Sequence, residues 1–520
     1  MSDVVSIPDQ LYSRICAVDV GTNSFHAVIV DVYPDRSYRT IDNLKEMVNL
    51  GPDVVNHRLS ENAIQRAIDA LRKIKTLSDS NEVEHIVAFA TSAIRESENG
   101  GDLVQRAIDE IGIKIQAIPG IREAELIGYA IQHGMYLNDE PVLAMDIGGG
   151  SVEFIIANRD TTYYLDSQKI GVSRTSSKFM KGEVITADEI EELRHHYSTC
   201  LKDLIAAVKR TPLKVLIGSS GTMQNLAFMM AAIKKKDVSL TLNEFQYSAK
   251  EFKQFYKKFI TLTRAERLKI EGIDEKRVDF IVTGLVLVDL IIDLFDIRTI
   301  RTSTDALREG IIISYIKKEM KSIKRVTEFT DPRRRSVFEL LRKCNWHEKH
   351  SRHVAKFALQ LFDDLRDYHT LTDQDRELLE YACLMHDIGY HISHHRHHRH
   401  ALYLILNADL KGFSQEEIEI MAHVARYHRK STPKKRHQLF WALSDDQKDR
   451  ITKLSGILRV ADGLDRSHYQ NVRKVQVEYG DEITLKISSL DTPELEIWGA
   501  MRKRELFEEM FARPLKIVRV

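Results

Sequence analysis

Two short loops, Asp19-Val-Gly-Thr-Asn-Ser24 and Asp146-Ile-Gly-Gly-Gly-Ser151, repeat one pattern of aspartate, glycine and hydroxyl side chains. Apolar runs typical of buried strands flank each loop, at residues 15–18 and 25–30 and at residues 142–145 and 152–157. Glycine lets successive backbone N–H groups point into one concavity, the geometry that holds phosphate oxygens, and the aspartates suit a hard cation bound to that phosphate. Two copies in register predict a duplicated fold with the ligand between its halves.

Composition sets broad limits on the protein. The chain has 520 residues and a formal net charge of zero, so we expect roughly three or four domains and no whole-molecule attraction to nucleic acid or membrane. Four cysteines lie far apart with no C-x-x-C spacing, which argues against a disulfide framework. Neither a signal-peptide pattern nor an apolar run of roughly 20 residues is found, so we expect a soluble cytoplasmic protein.

Basic residues are concentrated locally, at residues 234–236, 333–335, 391–400, 426–430 and 434–436. Each segment alone is typical of a solvated helix face or loop. Taken together, the segments are compatible with binding an anionic polymer or a nucleotide.

Strand and helix patterns alternate through the first 320 or so residues, which predicts an α/β fold. A proline and a run of arginines follow Thr330, and beyond them the pattern is almost entirely helical up to about residue 464. Alternating strands around one helical stretch, residues 494–511, then predict a β-β-α-β appendage with α+β character. We therefore predict domains at residues 1–135, 136–325, 326–468 and 469–520.

Two residues between the loops could take part in phosphate chemistry. Arg95 follows a strand and would lie at the carboxyl edge of the sheet, where its guanidinium can fork onto phosphate oxygens. Glu123, in the first turn of a helix, could orient and deprotonate a water that attacks phosphorus. The alternatives are a surface ion pair for Arg95 and a favourable helix-dipole interaction for Glu123. Spacing leaves Glu96 and Glu125 open as bases.

The two loops differ in chemistry at one position. Glu153 aligns with His26, so the second loop, with Asp146, has the better set of ligands for Mg²⁺. The alternative is that Glu153 faces solvent from an edge strand.

Several motifs, in this order, resemble the exopolyphosphatase/guanosine pentaphosphate phosphohydrolase (Ppx/GppA) family of the actin and sugar-kinase superfamily. They are the two loops, Thr91-Ser-Ala-Ile-Arg95, Gly120-Ile-Arg-Glu-Ala-Glu-Leu-Ile127, Gly218-Ser-Ser-Gly-Thr222 and Asp305-Ala-Leu-Arg-Glu-Gly310. The resemblance implies two actin-like (ribonuclease H-like) domains flanking a cleft and hydrolysis of a terminal phosphoanhydride. It implies Glu123 as the catalytic base, Asp146 and Glu153 as Mg²⁺ ligands, and the following phosphate-binding residues: Asp19, Gly21, Thr22, Asn23, Ser24, Arg95, Gly148, Gly149, Gly150, Ser151 and Gly221.

Residues 121–122 depart from the family pattern, which often has a polar residue and a second acid before the catalytic glutamate. Arg122 at this position is expected to favour the ionised form of Glu123.

Histidine and aspartate recur in the helical part as His350, the pair His386-Asp387, and Asp462, so several helices could bring them to one divalent ion. This order resembles the HD domain of metal-dependent phosphohydrolases, and His400 and His428 could extend the set to a second metal. A second hydrolytic activity, on a nucleotide phosphodiester or pyrophosphate, is one consequence. The alternative is a pH-sensitive phosphate patch formed by His391, His394, His395, His397 and His398.

The leading hypothesis is a Mg²⁺-dependent exopolyphosphatase that acts on inorganic polyphosphate, as a homodimer by family resemblance. The runner-up is a guanosine pentaphosphate 5′-phosphohydrolase, since the same motifs serve both substrates. An ATP-dependent small-molecule kinase shares the fold, with residues 218–222 meeting an adenosine, and a polyphosphate or alarmone sensor is a non-enzymatic alternative. Glu123, Arg95 and both loops favour hydrolysis.

Overall fold

The apolar runs around the two loops form β-hairpins at the centres of two sheets in the computed structural model of the chain. The structure describes residues 11–50, 54–55, 58–209, 211, 213–320 and 331–520. The chain divides into two units, residues 1–332 and residues 333–520.

The first sheet has the strand order β3-β2-β1-β6-β7. Its unit begins with strands β1 Ser13–Val20, β2 Ser24–Val32, β3 Tyr38–Met47, β4 Val54–Val55, β5 Arg58–Leu59, β6 His85–Ala90 and β7 Ile115–Ala117, and helices α1 Glu61–Ser80, α2 Ser92–Glu96, α3 Gly100–Ile111 and α4 Gly120–Gly134. Strand β1 pairs antiparallel with β2 and parallel with β6, so the first loop closes a hairpin at the end of a parallel strand. In this hairpin Asp19 pairs with His26.

The second sheet repeats this plan with the order β10-β9-β8-β11-β13-β12. It contains strands β8 Val142–Ile147, β9 Val152–Ala157, β10 Thr162–Gln168, β11 Val215–Ser219, β12 Gln246–Ser248 and β13 Thr299–Thr302, and helices α5 Val172–Phe179, α6 Ala187–Cys200, α7 Lys202–Val208, α8 Ser220–Ile233, α9 Ala249–Phe259, α10 Arg264–Arg267, α11 Ile281–Phe295 and α12 Leu307–Glu319. Asp146 pairs with Glu153 in this hairpin, as Asp19 pairs with His26 in the first hairpin. The predicted duplication within an α/β fold is confirmed.

One apolar core joins the two sheets of the first unit. It contains Ile15 from β1, Ile155 from β9, Ile127 from α4 and Ile311 from α12. Helices α4 and α12 approach so closely that a Cβ on Gly310 would lie 2.0 Å from the carbonyl oxygen of Leu126, a contact that requires glycine. This core fixes α4, and with it Glu123, against both sheets.

The second unit is mainly helical and ends in a small sheet with the order β14-β15-β16. Its elements are α13 Pro332–Lys343, α14 Glu348–Asp364, α15 Asp373–Met385, α16 His397–Leu406, α17 Gln415–Tyr427, α18 Gln438–Trp441, α19 Asp445–Gly463, β14 Val472–Tyr479, β15 Ile483–Ser489, α20 Glu494–Met501, α21 Glu505–Phe511 and β16 Leu515–Arg519. Strand β15 pairs antiparallel with β14 and parallel with β16.

The C-terminal helix and the domain boundaries can be compared with their predictions. The single helix predicted at residues 494–511 was wrong, because residues 502–504 interrupt it and leave α20 and α21 as separate helices. The predicted boundary between residues 325 and 326 lies outside the described residues, while the two units separate after Pro332. The boundaries at 135/136 and 468/469 stay predictions. No helix in the described ranges is long and apolar enough to cross a membrane.

Candidate active site

The two loops face each other across a cavity of about 200 Å³ in the first unit. Nearly all residues predicted for phosphate, metal and catalysis in this unit line it: Asp19, Gly21, Thr22, Asn23, Ser24, Glu123, Asp146, Gly148, Gly149, Gly150, Ser151, Glu153 and Gly221. The exception among them is Arg95. Of the three carboxylates that spacing left open as bases, Glu123 lines the cavity, whereas Glu96 and Glu125 do not.

The glycines of the second loop leave room for side chains of the first loop and of α2. A Cβ on Gly149 would lie 2.9 Å from Asn23 Nδ2, and one on Gly150 would lie 2.3 Å from Ser92 Oγ. Ser92 Oγ in turn lies 3.0 Å from Thr22 Oγ1. The loops therefore enclose one concavity from both sides, with backbone N–H groups and hydroxyls around it.

Glu123 lies in the first turn of α4 and is 7% exposed. Arg95 Nη1 donates to Glu123 Oε2 at 2.9 Å and to the carbonyl oxygen of Ile118 at 2.9 Å. Burial raises the pKa of Glu123 to about 7, while the hydrogen bond and charge of Arg95 oppose this rise. A carboxyl group with this pKa can accept a proton near neutral pH.

Two arginines near the cavity have carboxylate partners. Arg95 forms an ion pair with Glu123 and is not among the residues that line the cavity, and its predicted role in phosphate binding stays a prediction. Arg122 donates to Glu125 Oε2 at 2.6 Å and to Ser314 Oγ at 2.7 Å, so its partner is Glu125 and not the expected Glu123.

Three further carboxyl groups, Asp19, Asp146 and Glu153, are held near Glu123. Burial and the neighbouring Glu123 raise the pKa of Asp19 to about 8 and place that of Glu153 well above its ordinary value. Burial also raises the pKa of Asp146 to about 6, although Ser219 Oγ donates to it at 2.6 Å. Glu153 is 1% exposed, which excludes the solvent-facing alternative. Several buried carboxylates in one cavity fit a hard divalent cation, since oxygen ligands and a compensating charge are both supplied.

Three cationic side chains on the cavity wall were not predicted: Lys45, Arg277 and Arg308. Arg308 Nη1 lies 3.0 Å from His26 Nδ1, and burial together with Arg308 lowers the pKa of His26 to about 3. A Cβ on Gly221 would lie 1.9 Å from Arg277 Nη2, so glycine there makes room for the guanidinium. Neutral His26 and three cations give this side of the cavity a positive potential suited to phosphate oxygens.

The sequence contains patterns that could have predicted two of these cationic side chains, Lys45 and Arg308, as cavity residues. Lys45 pairs with His26 between β3 and β2, so the strand register places it beside the first loop. Arg308 belongs to the motif Asp305-Ala-Leu-Arg-Glu-Gly310, which follows the carboxyl end of β13. Arg277 precedes α11 in a stretch with no recognisable pattern.

A second cluster, the His–Asp centre, lies inside the second unit. Three groups of side chains there could each hold a metal ion: His350, Asp387 and His468; His350, His386 and Asp462; and Asp387, His397 and His428. Among the residues that the structure describes, groups of three or more close ligand atoms of this kind occur only here.

Asp387 joins the groups because its two oxygens face different histidines. Its Oδ2 lies 3.4 Å from His386 Nε2 and 3.7 Å from His350 Nε2, while Oδ1 lies 3.1 Å from His397 Nε2 and 3.5 Å from His428 Nε2. This arrangement suits a carboxylate that bridges two ions.

The histidine rings are oriented by hydrogen bonds from their other nitrogen. Nδ1 of His386 donates to Cys383 O at 2.7 Å, Nδ1 of His428 donates to Ala425 O at 2.7 Å, and Nδ1 of His350 lies 2.8 Å from Asp465 Oδ2. In each ring Nε2 is then the nitrogen that faces Asp387, and this is the orientation that metal-bound histidines use. The buried Nε2 atoms of His350 and His386 have no hydrogen-bond partner among the residues that the structure describes.

The predicted ligands His350, His386, Asp387, Asp462 and His428 thus come together. His400 is in none of the groups, and His397 and His468 were missed. His397 and His398 are 1% and 8% exposed, and the alternative of a pH-sensitive phosphate patch stays a prediction.

Two models of one protein family match the chain. Residues 28–319, more than half of the chain, match the model of the Ppx/GppA phosphatase family, and residues 333–496 match that of Ppx/GppA phosphatase, domain III. A guanosine-5′-triphosphate,3′-diphosphate pyrophosphatase from Photobacterium profundum is 27% identical over 439 residues, which are 84% of each chain.

Solved structures match about three fifths of the chain. An exopolyphosphatase from Cytophaga hutchinsonii is 33% identical, with a TM-score of 0.56, and the match covers 60% of this chain and all of that one. The Aquifex aeolicus family member is 24% identical, with a TM-score of 0.52 over 59% of this chain and 98% of that one, and supports the fold.

Proposed function

Because the chain belongs to the Ppx/GppA phosphatase family, we propose that it hydrolyses the terminal phosphoanhydride of inorganic polyphosphate and releases orthophosphate. The observation that supports this most directly is the position of Glu123. Its buried carboxyl group faces a cavity that is also lined by both glycine loops and by Lys45, Arg277 and Arg308. A base and a phosphate-binding surface therefore meet at one point.

In the proposed reaction, Glu123 orients a water molecule and takes its proton as the water oxygen bonds to the terminal phosphorus. The bridging P–O bond breaks, orthophosphate leaves, and the chain ends one phosphate shorter. Backbone N–H groups of the loops, with Arg277 and Arg308, stabilise the negative charge that spreads over the phosphate oxygens. Asp146 and Glu153 would hold Mg²⁺, which neutralises part of the phosphate charge when bound.

The cavity wall favours a phosphate chain over a nucleoside. Among the described residues that line it, none is Phe, Tyr or Trp, and the volume is about 200 Å³. A guanine base commonly stacks on an aromatic ring or an arginine plane, and the two arginines on the described wall, Arg277 and Arg308, contact phosphate oxygens in the proposed reaction. Ligand pockets for larger molecules span about 300–1,000 Å³.

Guanosine pentaphosphate is the second candidate substrate. The Photobacterium profundum relative carries the name of a pyrophosphatase acting on that nucleotide, and its match spans both units. Hydrolysis of its 5′ terminal phosphate needs the same base and the same loops.

Phosphate release from long-chain polyphosphate and from guanosine pentaphosphate, with Mg²⁺, tests the proposal and ranks the substrates. We expect Glu123→Gln to lower kcat by about 10²- to 10⁴-fold. The matched control is Glu125→Gln, on the same helix, because Glu125 pairs with Arg122 and Tyr129 away from the cavity. Equal loss in both variants, or none in Glu123→Gln, contradicts the mechanism. Release from the nucleotide alone selects the second candidate.

For the second unit we propose an HD-type centre that binds divalent metal through His350, His386, Asp387 and Asp462, with His397 and His428 around a second ion. The orphaned Nε2 atoms and the two-sided position of Asp387 support it. Metal bound there would be available for a second phosphohydrolase activity.

A further inference from the structure

One histidine of the first-unit cavity, His26, contacts two groups that face the proposed phosphate site. His26 lies on β2, where it pairs with Asp19 of β1 and with Lys45 of β3. Its Nδ1 lies 3.0 Å from Arg308 Nη1, and its Nε2 lies 2.8 Å from Ser24 Oγ. His26, Ser24 and Arg308 all line the cavity. The imidazole ring therefore connects a hydroxyl group and a guanidinium group that reach the cavity from different elements, β2 and α12.

The two contacts determine which ring nitrogen carries the proton. An arginine side chain has N–H donors and no acceptor, so the Nδ1 atom that faces Arg308 Nη1 accepts with its lone pair. In a neutral imidazole the proton then lies on Nε2, which donates to Ser24 Oγ. Burial and the neighbouring cations lower the pKa of His26 to about 3, so the ring carries no second proton near neutral pH. His26 is therefore the neutral Nε2–H tautomer.

This tautomer fixes the direction of the Ser24 hydroxyl group. Because Ser24 Oγ accepts the Nε2–H of His26, its own hydrogen is left to donate elsewhere. Among the described residues Ser24 Oγ has no other hydrogen-bond partner, and Ser24 lines the cavity. Its hydrogen can therefore point at a phosphate oxygen, as a transition-state donor must. With the proton on Nδ1, Ser24 would donate to His26 instead and present only lone pairs to phosphate.

The same ring also orients Arg308. The guanidinium donates from Nε to Glu309 Oε1 at 2.8 Å, and the other oxygen of Glu309 accepts the backbone N–H of Ala306 at 2.8 Å. Glu309 and His26 thus hold two of the three guanidinium nitrogens, and within the described part of the chain Nη2 has no hydrogen-bond partner. A carboxylate at position 26, like Glu153 at the matching position of the second hairpin, would pair with Arg308 and compete with phosphate for it. A neutral histidine leaves the charge available.

We propose that His26 is a positioning residue for phosphate: as the Nε2–H tautomer it accepts from Arg308, donates to Ser24, and directs both groups at the oxygens of the terminal phosphate. This inference rests on the phosphohydrolase function proposed for the cavity. His26 acts through its two partners and transfers no proton, since that step belongs to Glu123.

The first test is kinetic and uses His26→Phe, which keeps a flat ring and removes both ring nitrogens. We expect kcat/KM for phosphate release from polyphosphate to fall by about 10- to 100-fold, with a raised KM and an unchanged melting temperature. His26→Gln, whose amide can accept from Arg308 and donate to Ser24, is expected to regain most of this loss. The matched control is His195→Phe, at an exposed histidine of α6, which is expected to act like wild type. Unchanged kinetics in His26→Phe, or an equal loss in His26→Gln, overturns the proposal.

A double-mutant cycle tests the link to Ser24. In a Ser24→Ala background, His26→Phe is expected to lower kcat/KM by a smaller factor than in wild type, because one of the two partners of the ring is already absent. The same factor in both backgrounds overturns the proposed link. This comparison uses ratios of activity, so a general loss of stability in His26→Phe does not imitate the result.

The tautomer is measured without substrate, by nitrogen NMR of protein isotopically labelled at histidine, near neutral pH. The signals of His26 are those that disappear in His26→Gln. A proton on Nδ1, or on both nitrogens, overturns the proposal whatever the protein hydrolyses. A protein that shows the Nε2–H form but releases no phosphate supports the assignment of the ring and contradicts the proposed function, so the two failures are distinguishable.

Discussion

Replacing Arg95 with methionine removes the cation next to the proposed base. Arg95 Nη1 and Glu123 Oε2 are 2.9 Å apart, and the two side chains are 19% and 9% exposed. At an effective dielectric constant of about 20, this separation gives an attraction of roughly 332/(20 × 2.9), or about 6 kcal/mol, as an upper bound. Solvent and structural relaxation reduce it, and a cation beside a carboxylate usually lowers the carboxylate pKa by about 1 to 3 units.

We therefore expect Arg95→Met to raise the pKa of Glu123 by about 2 units from its value of about 7. At about pH 7.5 the ionised fraction of Glu123 would fall from roughly three quarters to about 3%, so kcat/KM would fall by about 25-fold. At about pH 9.5 roughly three quarters of Glu123 would again be ionised, and most of the activity would return.

The measurement is kcat/KM for phosphate release from polyphosphate across about pH 6 to 10. Arg122→Met serves as the control, since it removes one positive charge from α4 and its carboxylate partner is Glu125. A variant whose activity is lost equally at both ends of the range, with a raised KM, would refute this reasoning. Arg95 would then act by binding substrate phosphate, as the sequence predicts.

Three further predictions concern stability and metal. The pKa of Asp19 in the folded protein, about 8, lies above its ordinary value of 3.8. As the pH rises between these two values, the wild-type protein therefore loses up to about 1.4 kcal/mol of its free energy of unfolding per pH unit. Calorimetry should show that Asp19→Asn stabilises the ligand-free protein more at pH 8.5 than at pH 5. Gly310→Ala should lower the melting temperature, because its Cβ would lie 2.0 Å from a backbone oxygen of α4, whereas Gly101→Ala, with nothing within 4 Å, should be neutral or stabilising. Asp387→Asn should lower bound divalent metal by elemental analysis, with the exposed Asp409→Asn unchanged, and equal metal content would contradict the His–Asp centre.

The phosphate loops could be predicted because their signal is local. Glycine, hydroxyl and aspartate lie within six residues, and flanking strands fix where each loop points. The pairing register of neighbouring strands adds further residues to the prediction. It pairs Asp146 with Glu153, and it pairs His26 with Lys45, so it could have identified Lys45 as a cavity residue. Arg277 enters the cavity through tertiary folding alone, and no pattern around it indicates this.

The geometry of helices explains why the sequence did not predict His397 as a ligand or the break between α20 and α21. His397 and His400 lie about one turn apart on α16, and spacing alone does not show which ring reaches Asp387. The helical period continues through residues 502–504, yet the helix breaks there, and Lys503 Nζ forms an ion pair with Asp462. An arginine at the end of a strand is suited to phosphate, so the sequence predicts this role for Arg95, but it does not show the ion pair that Arg95 forms with Glu123.

The contact between Gly310 and Leu126 also bears on how the chain acquires its structure during synthesis. Helix α4 is synthesised early, but its partner α12 emerges from the ribosome only after all strands of the second sheet have been synthesised. Until then the apolar side of α4 that packs on α12 has no native cover, and Glu123 sits on an unsupported helix. Contacts so distant in sequence form slowly, and partly folded chains expose apolar surface meanwhile. The nascent chain would therefore reach its catalytic arrangement late, when α4 and α12 meet.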